Sequence, residues 1–258
     1  MEEIYLFSFR CDFFPDLNKC NLYDYYEQKL TWFLASLYKN GQIPKQGTWN
    51  LMENNGVINY YCIAHERDSF DSKYFNIYCE NSLKELNELS IHPPEFNLLG
   101  ETLDTPGCCK CEDSSFFILM TYYTAIYSSI RCGDCNQAVP LYKLPKLEGE
   151  VDYSSILLWE TEYKACDTLY MMTNVCEKYG YQQMSKVNSN ISKQGLKLCE
   201  ELSLSTKKPF YYFLHKAFSP QKLYCPVCGD KWVLENALHE LYAFKCDNCR
   251  LVSLKPVL

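Results

Sequence analysis

The sequence predicts a mixed α+β protein built from several small segments, and three observations favour this class. Apolar residues make up 47% of the 258 residues and include 14 Phe, 22 Tyr and 4 Trp, which is enough for a hydrophobic core. Short strand-like and helix-like patterns alternate along the chain. Two groups of paired cysteines interrupt these patterns. We therefore expect four segments, at 1–104, 105–145, 146–204 and 205–258.

The first segment is predicted to be a small, sandwich-like α/β domain in which helices cover one face of a sheet. An apolar strand is expected over Ile4–Phe9, and a helix over Asp24–Lys39 ends at Asn40-Gly41. Further elements are expected in the order strand, strand, strand and helix, over Thr48–Met52, Val57–Ala64, Tyr74–Tyr78 and Ser82–Leu89. A turn at 54–56 joins the first two of these strands.

The segment from 152 to 204 is predicted to be helical, with two apolar faces and a loop near Asn188. One face comprises Leu157, Leu158, Tyr163, Leu169 and Met172. The other comprises Leu196, Leu198, Leu202 and Leu204. From 209 onward, short strands are expected to alternate with the second cysteine group.

The second cysteine group carries the strongest signal in the sequence. Cys225-Pro-Val-Cys228 is followed after 17 residues by Cys246-Asp-Asn-Cys249. A C-x2-C pair on a tight turn directs two sulfur atoms to one point, and two such turns complete a tetrahedral four-thiolate site of the kind that zinc favours. With strands between the two pairs, this spacing predicts a C-terminal zinc ribbon that holds one zinc ion.

The first cysteine group has similar spacing but contains one extra cysteine. Cys108-Cys109-Lys-Cys111 is followed after 20 residues by Cys132-Gly-Asp-Cys135. Only Cys108 with Cys111 gives C-x2-C, so the predicted ligands of this central ribbon-like module are Cys108, Cys111, Cys132 and Cys135. The alternative first ligand, Cys109, stays open. A single site with one pair from each group is a further alternative, although closing the shorter loops costs less entropy.

Both predicted zinc sites, two ions per chain, are expected to be structural, because four thiolates leave no open position for water or substrate. The four histidines are scattered, and no nucleophile–base pattern is present. We therefore expect no catalytic residues, no other cofactor, no small-molecule substrate and no enzymatic activity. Glu2 and Glu3 argue against a signal peptide, and the uncharged stretch 116–130 is too short and polar to span a membrane. This predicts a cytoplasmic protein with reduced cysteines.

The charge distribution points to a cationic protein partner. The net charge is -7, of which residues 205–258 contribute eight Lys/Arg and four Asp/Glu, or +4, and the remainder -11. The basic tail leaves nucleic-acid binding as the alternative, with Phe210–Phe213 as candidate stacking residues. The candidate phosphate contacts are Lys207, Lys208, Lys216, Lys222, Lys231, Lys245 and Arg250.

Several distinctive motifs lie within about 98–258. These are Cys132-Gly-Asp-Cys135, Val139-Pro-Leu-Tyr-Lys-Leu-Pro145, Trp159, Ala165-Cys-Asp167, Pro209-Phe-Tyr-Tyr-Phe-Leu214, Cys225-Pro-Val-Cys-Gly229, Trp232 and 244–253. In these motifs the sequence resembles a bacterial family of uncharacterised Zn-ribbon-containing proteins for which nucleic-acid binding has been suggested. Relatives of this kind lie near bacterial toxin systems, so the resemblance implies an immunity or antitoxin protein that neutralises a toxin, such as a nuclease.

Overall fold

The computed structural model describes the backbone of 4–12, 19–44, 50–54, 57–102, 107–215 and 223–254. Side chains are described for 25–44, 59–100, 107–215 and 223–254. The predicted turn at 54–56 lies mostly outside these ranges. The described chain forms two compact units. The first comprises Met1–Cys108, Pro140–Leu144 and Glu150–Tyr153, and the second comprises Cys109–Val139, Pro145–Gly149 and Ser154–Leu258.

The first unit contains a four-stranded antiparallel sheet in the order β2-β3-β1-β4. Its strands are β1 (Ile4–Asp12), β2 (Asn50–Asn54), β3 (Val57–Ala64) and β4 (Glu95–Thr102). Its helices are α1 (Lys19–Lys39) and α2 (Ile77–Leu89). Leu30, Phe33, Leu34 and Leu37 of α1 are fully buried, because this spacing places them on one helix face. The mixed α+β class is confirmed.

The strand predicted over Tyr74–Tyr78 is wrong. This stretch contains the end of a 3₁₀ helix, Ser72–Tyr74, and the start of α2. The side chain of Asn76 accepts hydrogen bonds from the backbone N–H groups of Tyr78 and Cys79, which makes it the N-cap of α2. Strand β4 was not predicted, and it completes the sheet beside β1.

The second unit is built on a six-stranded mixed sheet in the order β6-β5-β7-β10-β9-β8. Its strands are β5 (Phe117–Leu119), β6 (Ile130–Cys132), β7 (Phe210–Phe213), β8 (Val233–Leu238), β9 (Tyr242–Cys246) and β10 (Leu251–Leu254). β7 pairs in parallel with both β5 and β10, so it joins the strands of the two cysteine groups into one sheet. Both groups therefore belong to the same compact unit.

Three helices pack in the second unit: α3 (Ser154–Met172), α4 (Glu177–Ser185) and α5 (Asn190–Thr206). Trp159 and Tyr163 of α3 are buried, whereas the predicted core residues Leu158, Met172 and Leu204 are 60, 64 and 80% exposed. The buried face of α3 is centred on Trp159 and includes polar residues, which a search for leucines misses. Among the described helices, none combines the length and apolar character needed to cross a membrane.

Candidate metal centres

The first four-cysteine cluster lies between the segment before β5 and the turn after β6. Its members are Cys109, Cys111, Cys132 and Cys135, whose Sγ atoms all lie within 4.8 Å of one another. Cys109 and Cys132 are buried, Cys111 is exposed and Cys135 is intermediate, and none forms a disulfide. Four thiols that converge on one point can surround a single metal ion.

The structure corrects the prediction that Cys108 is the first ligand. The Cys108 thiol lies outside the cluster and donates a hydrogen bond to the carbonyl oxygen of His65 at 3.4 Å. Cys109 enters the cluster because its backbone N–H donates to the carbonyl of Ala138 at 2.7 Å, which ties this residue to the chain just after the second cysteine pair. The backbone N–H of Cys111 then lies 3.4 Å from Cys109 Sγ. The first pair is therefore C-x-C rather than C-x2-C.

Hydrogen bonds to Cys132, in the second cysteine pair of the first cluster, favour the thiolate form of this residue. Cys132 Sγ accepts from the backbone N–H of Asp134 at 3.4 Å and lies 3.2 Å from Ser114 Oγ. Although burial acts to raise the pKa of Cys132, the Ser114 hydroxyl and the backbone N–H groups of Cys135 and Asp134 lower it below its ordinary value. Burial raises the pKa of Cys135.

The second four-cysteine cluster consists of the residues that the spacing predicts. The Sγ atoms of Cys225, Cys228, Cys246 and Cys249 all lie within 4.8 Å of one another. Cys225 precedes β8, Cys246 ends β9, and Cys249 lies in the short connection to β10. The strands of the ribbon therefore bring the two pairs together.

Tight turns shape both cysteine pairs of the second cluster. The backbone N–H of Gly229 donates to the carbonyl of Cys225 at 3.1 Å, and Gly229 adopts a φ of 78°, which glycine tolerates without a Cβ clash. The backbone N–H of Cys249 donates to Cys246 Sγ at 3.4 Å. The Cys246–Cys249 turn thus presents a backbone N–H group close to sulfur, as a thiolate site requires.

In the second cluster, as in the first, the pKa of one cysteine thiol is lowered and the pKa of another is raised. Burial acts to raise the pKa of Cys225, but the backbone N–H groups of Cys228 and Val227 lower it below the ordinary value. Burial raises the pKa of Cys246 to about 11. An incoming cation would displace the remaining thiol protons, so metal affinity at such a site falls as the pH falls. Each cluster could therefore hold one metal ion.

Two of the candidate phosphate-binding residues, Lys245 and Arg250, interact with other side chains of this chain. Lys245 Nζ lies 2.5 Å from Asp247 Oδ1 and 4.6 Å from the centre of the Tyr211 ring. Arg250 Nη1 donates to the Tyr211 hydroxyl at 3.0 Å, and this hydroxyl donates in turn to Asp247. These two cations therefore form one local cluster with an acid and an aromatic ring.

The other candidate phosphate-binding residues are one paired lysine, two exposed lysines and two lysines outside the described residues. Lys208 Nζ lies 2.8 Å from Asp113 Oδ1. Lys207 and Lys231 are exposed. Two candidates lie outside the described residues: Lys216 and Lys222. The candidate stacking residues Phe210–Phe213 are all buried, because β7 lies inside the sheet between β5 and β10 and also contacts α5.

Two family models match adjoining parts of the chain. A domain of unknown function (DUF2310) matches residues 111–215, and a second domain of unknown function (DUF8594) matches residues 216–254. The first covers β5 to β7 with the helices, and the second covers the four cysteines of the second cluster. The fold and the clusters thus define a mixed α+β protein with two four-cysteine groups that could bind metal.

Two uncharacterised proteins of Haemophilus influenzae are similar to the chain. One is 29% identical over 222 residues, which is 83% of this chain and 85% of the relative. The other is 31% identical over 163 residues, which is 61% of this chain and 80% of the relative. The chain therefore belongs to the same family as these uncharacterised bacterial proteins.

Two solved structures resemble part of the chain weakly. Rv0793 from Mycobacterium tuberculosis is 17% identical, with a TM-score of 0.28 over 40% of this chain and 97% of that protein. A candidate antibiotic biosynthesis monooxygenase from Nitrosomonas europaea is 8% identical, with a TM-score of 0.30 over 42% of this chain and 97% of that protein. TM-scores this low support no conclusion about fold or activity.

Proposed function

We propose that each four-cysteine cluster holds one zinc ion and that both ions are structural. The observation that carries this proposal is the convergence of four Sγ atoms within 4.8 Å at two places. Zinc suits four thiolates because it imposes no ligand-field geometry of its own. The residues present fit the ion: paired thiols on tight turns, with backbone N–H groups directed at the sulfur atoms. A bound zinc ion would cross-link the strands of each ribbon.

We further propose that the protein is not an enzyme and acts by binding a macromolecule in a reducing compartment, the cytoplasm. A four-thiolate ion has no free coordination position at which to activate water. Reducing conditions keep the eight cluster thiols available as ligands. Metal binding then serves to stabilise the binding surface rather than to perform chemistry.

The most strongly supported partner is a cationic protein, with this chain acting as an acidic immunity protein against a bacterial toxin such as a nuclease. The net charge of -7 favours electrostatic attraction to a basic surface and faster association with it. The internal pairing of Lys208 with Asp113 and of Lys245 with Asp247 reduces the positive charge that the tail offers to a polyanion. The burial of Phe210–Phe213 also removes the predicted stacking platform for bases.

Metal analysis of the natively purified chain tests the zinc proposal. Protein expressed without added metal and purified without chelator is analysed by inductively coupled plasma mass spectrometry. We expect two zinc ions per chain, whereas fewer than one ion per chain would overturn the proposal. Cys176→Ser is a matched control, because Cys176 is exposed and lies outside both clusters, and it should leave the zinc content unchanged.

Co-expression tests the partner. The chain is produced together with the products of the genes adjacent to its own in the native host, and growth and co-purification are measured. Rescue of growth with formation of a stable complex is expected, and the association rate should fall as salt screens the charges. Neither rescue nor co-purification would refute the immunity role. Tight binding of single-stranded DNA or RNA with a steep salt dependence would instead favour the nucleic-acid alternative.

A further inference from the structure

The turn between β8 and β9 of the C-terminal ribbon reaches the first four-cysteine cluster. His239 lies in this turn, and its Nε2 atom donates a hydrogen bond to the carbonyl oxygen of Gly133 at 2.7 Å. Gly133 lies between the cluster residues Cys132 and Cys135. A residue of the second ribbon thus holds the backbone that carries two cysteines of the first cluster, across 106 positions of sequence.

The backbone of this turn supports a specific role for His239. His239 and Glu240 have φ angles of 52° and 61°, in the left-handed region that is unfavourable for residues other than glycine. The backbone N–H of Leu241 donates to the carbonyl of Leu238 at 3.1 Å and closes the turn. Two successive residues in this region form the turn type that Asn-Gly usually adopts. Strain of this kind persists where the surroundings stabilise it, and the contact to Gly133 supplies such an interaction.

Strand β9 makes a second contact with the turn that carries Cys132 and Cys135. The hydroxyl of Tyr242, a buried residue, donates to Asn136 Oδ1 at 3.1 Å, and Asn136 directly follows Cys135. Tyr242 belongs to the same strand as Cys246 of the second cluster. Phe116 also packs closely on Gly133, since a Cβ atom on this glycine would fall 2.4 Å from the Phe116 ring. The turn after β6 is therefore held by contacts with His239, Tyr242 and Phe116.

We propose that His239 and Tyr242 are positioning residues of the first metal site and that they couple the two sites. The second ion orders β9 and the turn that contains His239, and these residues then fix the backbone around Cys132 and Cys135. Filling either site raises the affinity of the other, because such coupling is reciprocal. This inference rests on the proposed metal binding at both clusters. Hydrogen bonds that fix ligand-bearing segments commonly change metal affinity, so the coupling is expected to be measurable.

Cadmium-113 NMR during a chelator titration tests the coupling, because it reports each thiolate site as a separate resonance. The resonances are assigned from Cys132→Ser and Cys246→Ser, each of which removes a ligand from one cluster. We expect His239→Ala to lower the cadmium affinity of the first site about 10-fold and to shift its resonance. His239→Gln retains a side-chain N–H donor and should recover part of the affinity. The matched control is Glu240→Ala, in the same strained turn but with an exposed side chain, which should change the affinity less than about 2-fold.

A double-mutant cycle separates coupling from general destabilisation. Cys246→Ser should weaken the first site to a similar extent, and adding His239→Ala should then change it by less than about 2-fold, since both changes disrupt the same connection. This inference alone would be overturned if the wild-type chain binds two cadmium ions and neither His239→Ala nor Cys246→Ser changes the affinity of the first site. A wild-type chain that binds no cadmium and no zinc would overturn the proposed function as well.

Discussion

The two units of the molecule differ in the interactions available to stabilise them. The first unit has a hydrophobic core under its sheet and a buried polar network, in which Gln42 Nε2 donates to the carbonyl of Ser69 at 2.6 Å. No cluster of potential metal ligands occurs among the described residues of this unit. The second unit contains both four-cysteine clusters in one sheet. Metal removal should therefore lower the stability of the second unit. The stability of the first unit can be tested instead by protonating a buried group.

Within the second unit, the two clusters have the same pattern of exposure but different surroundings. In each, the first pair has one buried and one exposed cysteine, and the second pair has one buried and one intermediate. The first cluster adjoins β5 and β6, whose residues are all buried. The second adjoins β8, in which no residue is buried, although β6 and β8 are both edge strands of the sheet. If each cluster holds an ion as proposed, the second ribbon should depend more strongly on it.

The largest expected effect is the loss of the second cluster through Cys246→Ser. The zinc content should fall from two ions to one, and proteases should cleave the C-terminal ribbon. Structural zinc contributes about 10–16 kcal/mol of apparent binding free energy, more than the small core of a ribbon can replace. Limited proteolysis with mass spectrometry should show the first unit intact. Equal protease resistance in wild type and Cys246→Ser would contradict the difference between the units.

A smaller effect is expected when the first unit is exposed to acid. His65 is buried, and burial lowers its pKa from 6.5 to about 4. The unfolded chain therefore binds more protons than the folded chain between these values, so the contribution of His65 to stability is present above pH 6.5 and is lost as the pH falls towards 4. The loss amounts to about 3 kcal/mol at most.

Urea denaturation at pH 7 and pH 4.5 measures this loss, and His65→Gln separates it from acid release of metal. The variant should show a shallower pH dependence than the wild type. Metal release is common to both proteins and cancels in the difference between them. The same pH dependence in both proteins would show that His65 does not titrate as its burial implies.

The smallest effect is expected for Gly133→Ala in the second unit, with a glycine of the first unit as the control. Gly133→Ala places a Cβ atom 2.4 Å from the Phe116 ring, which must move off the turn that carries Cys132 and Cys135. We expect a loss of about 1–3 kcal/mol in thermal unfolding, the usual result of overpacking. Gly100→Ala is the control, because a Cβ atom added to Gly100 would meet no other atom within 4 Å and the φ of this residue is not positive. Equal stability of both variants would argue against a tightly held turn.

Much of the architecture could be predicted from local patterns. The apolar spacing in α1 and the strand pattern of β3 indicate elements that the structure contains. Ser189, in the predicted loop, is the N-cap of α5. The paired cysteines of the second cluster converge as their spacing indicates. For α1, β3 and Ser189 the interactions that decide the structure lie within a few residues of one another, and for the second cluster they lie within each cysteine pair.

The parts that could not be predicted depend on distant contacts. The choice of Cys109 over Cys108 depends on the hydrogen bond from Cys109 to Ala138, and adjacent cysteines differ too little in sequence context to reveal it. The burial of all four side chains of β7 depends on the parallel pairing with β5 and β10. The contact of His239 with Gly133 likewise has no signal in the sequence.

The zinc content of Cys108→Ser and Cys109→Ser, each purified natively, tests the central claim most directly. These substitutions remove one sulfur atom from neighbouring positions, but only Cys109 Sγ lies in the first cluster. We predict two zinc ions per chain in Cys108→Ser and about one in Cys109→Ser, since a three-thiolate site binds zinc more weakly. One ion in Cys108→Ser with two in Cys109→Ser would contradict a first metal centre built on Cys109.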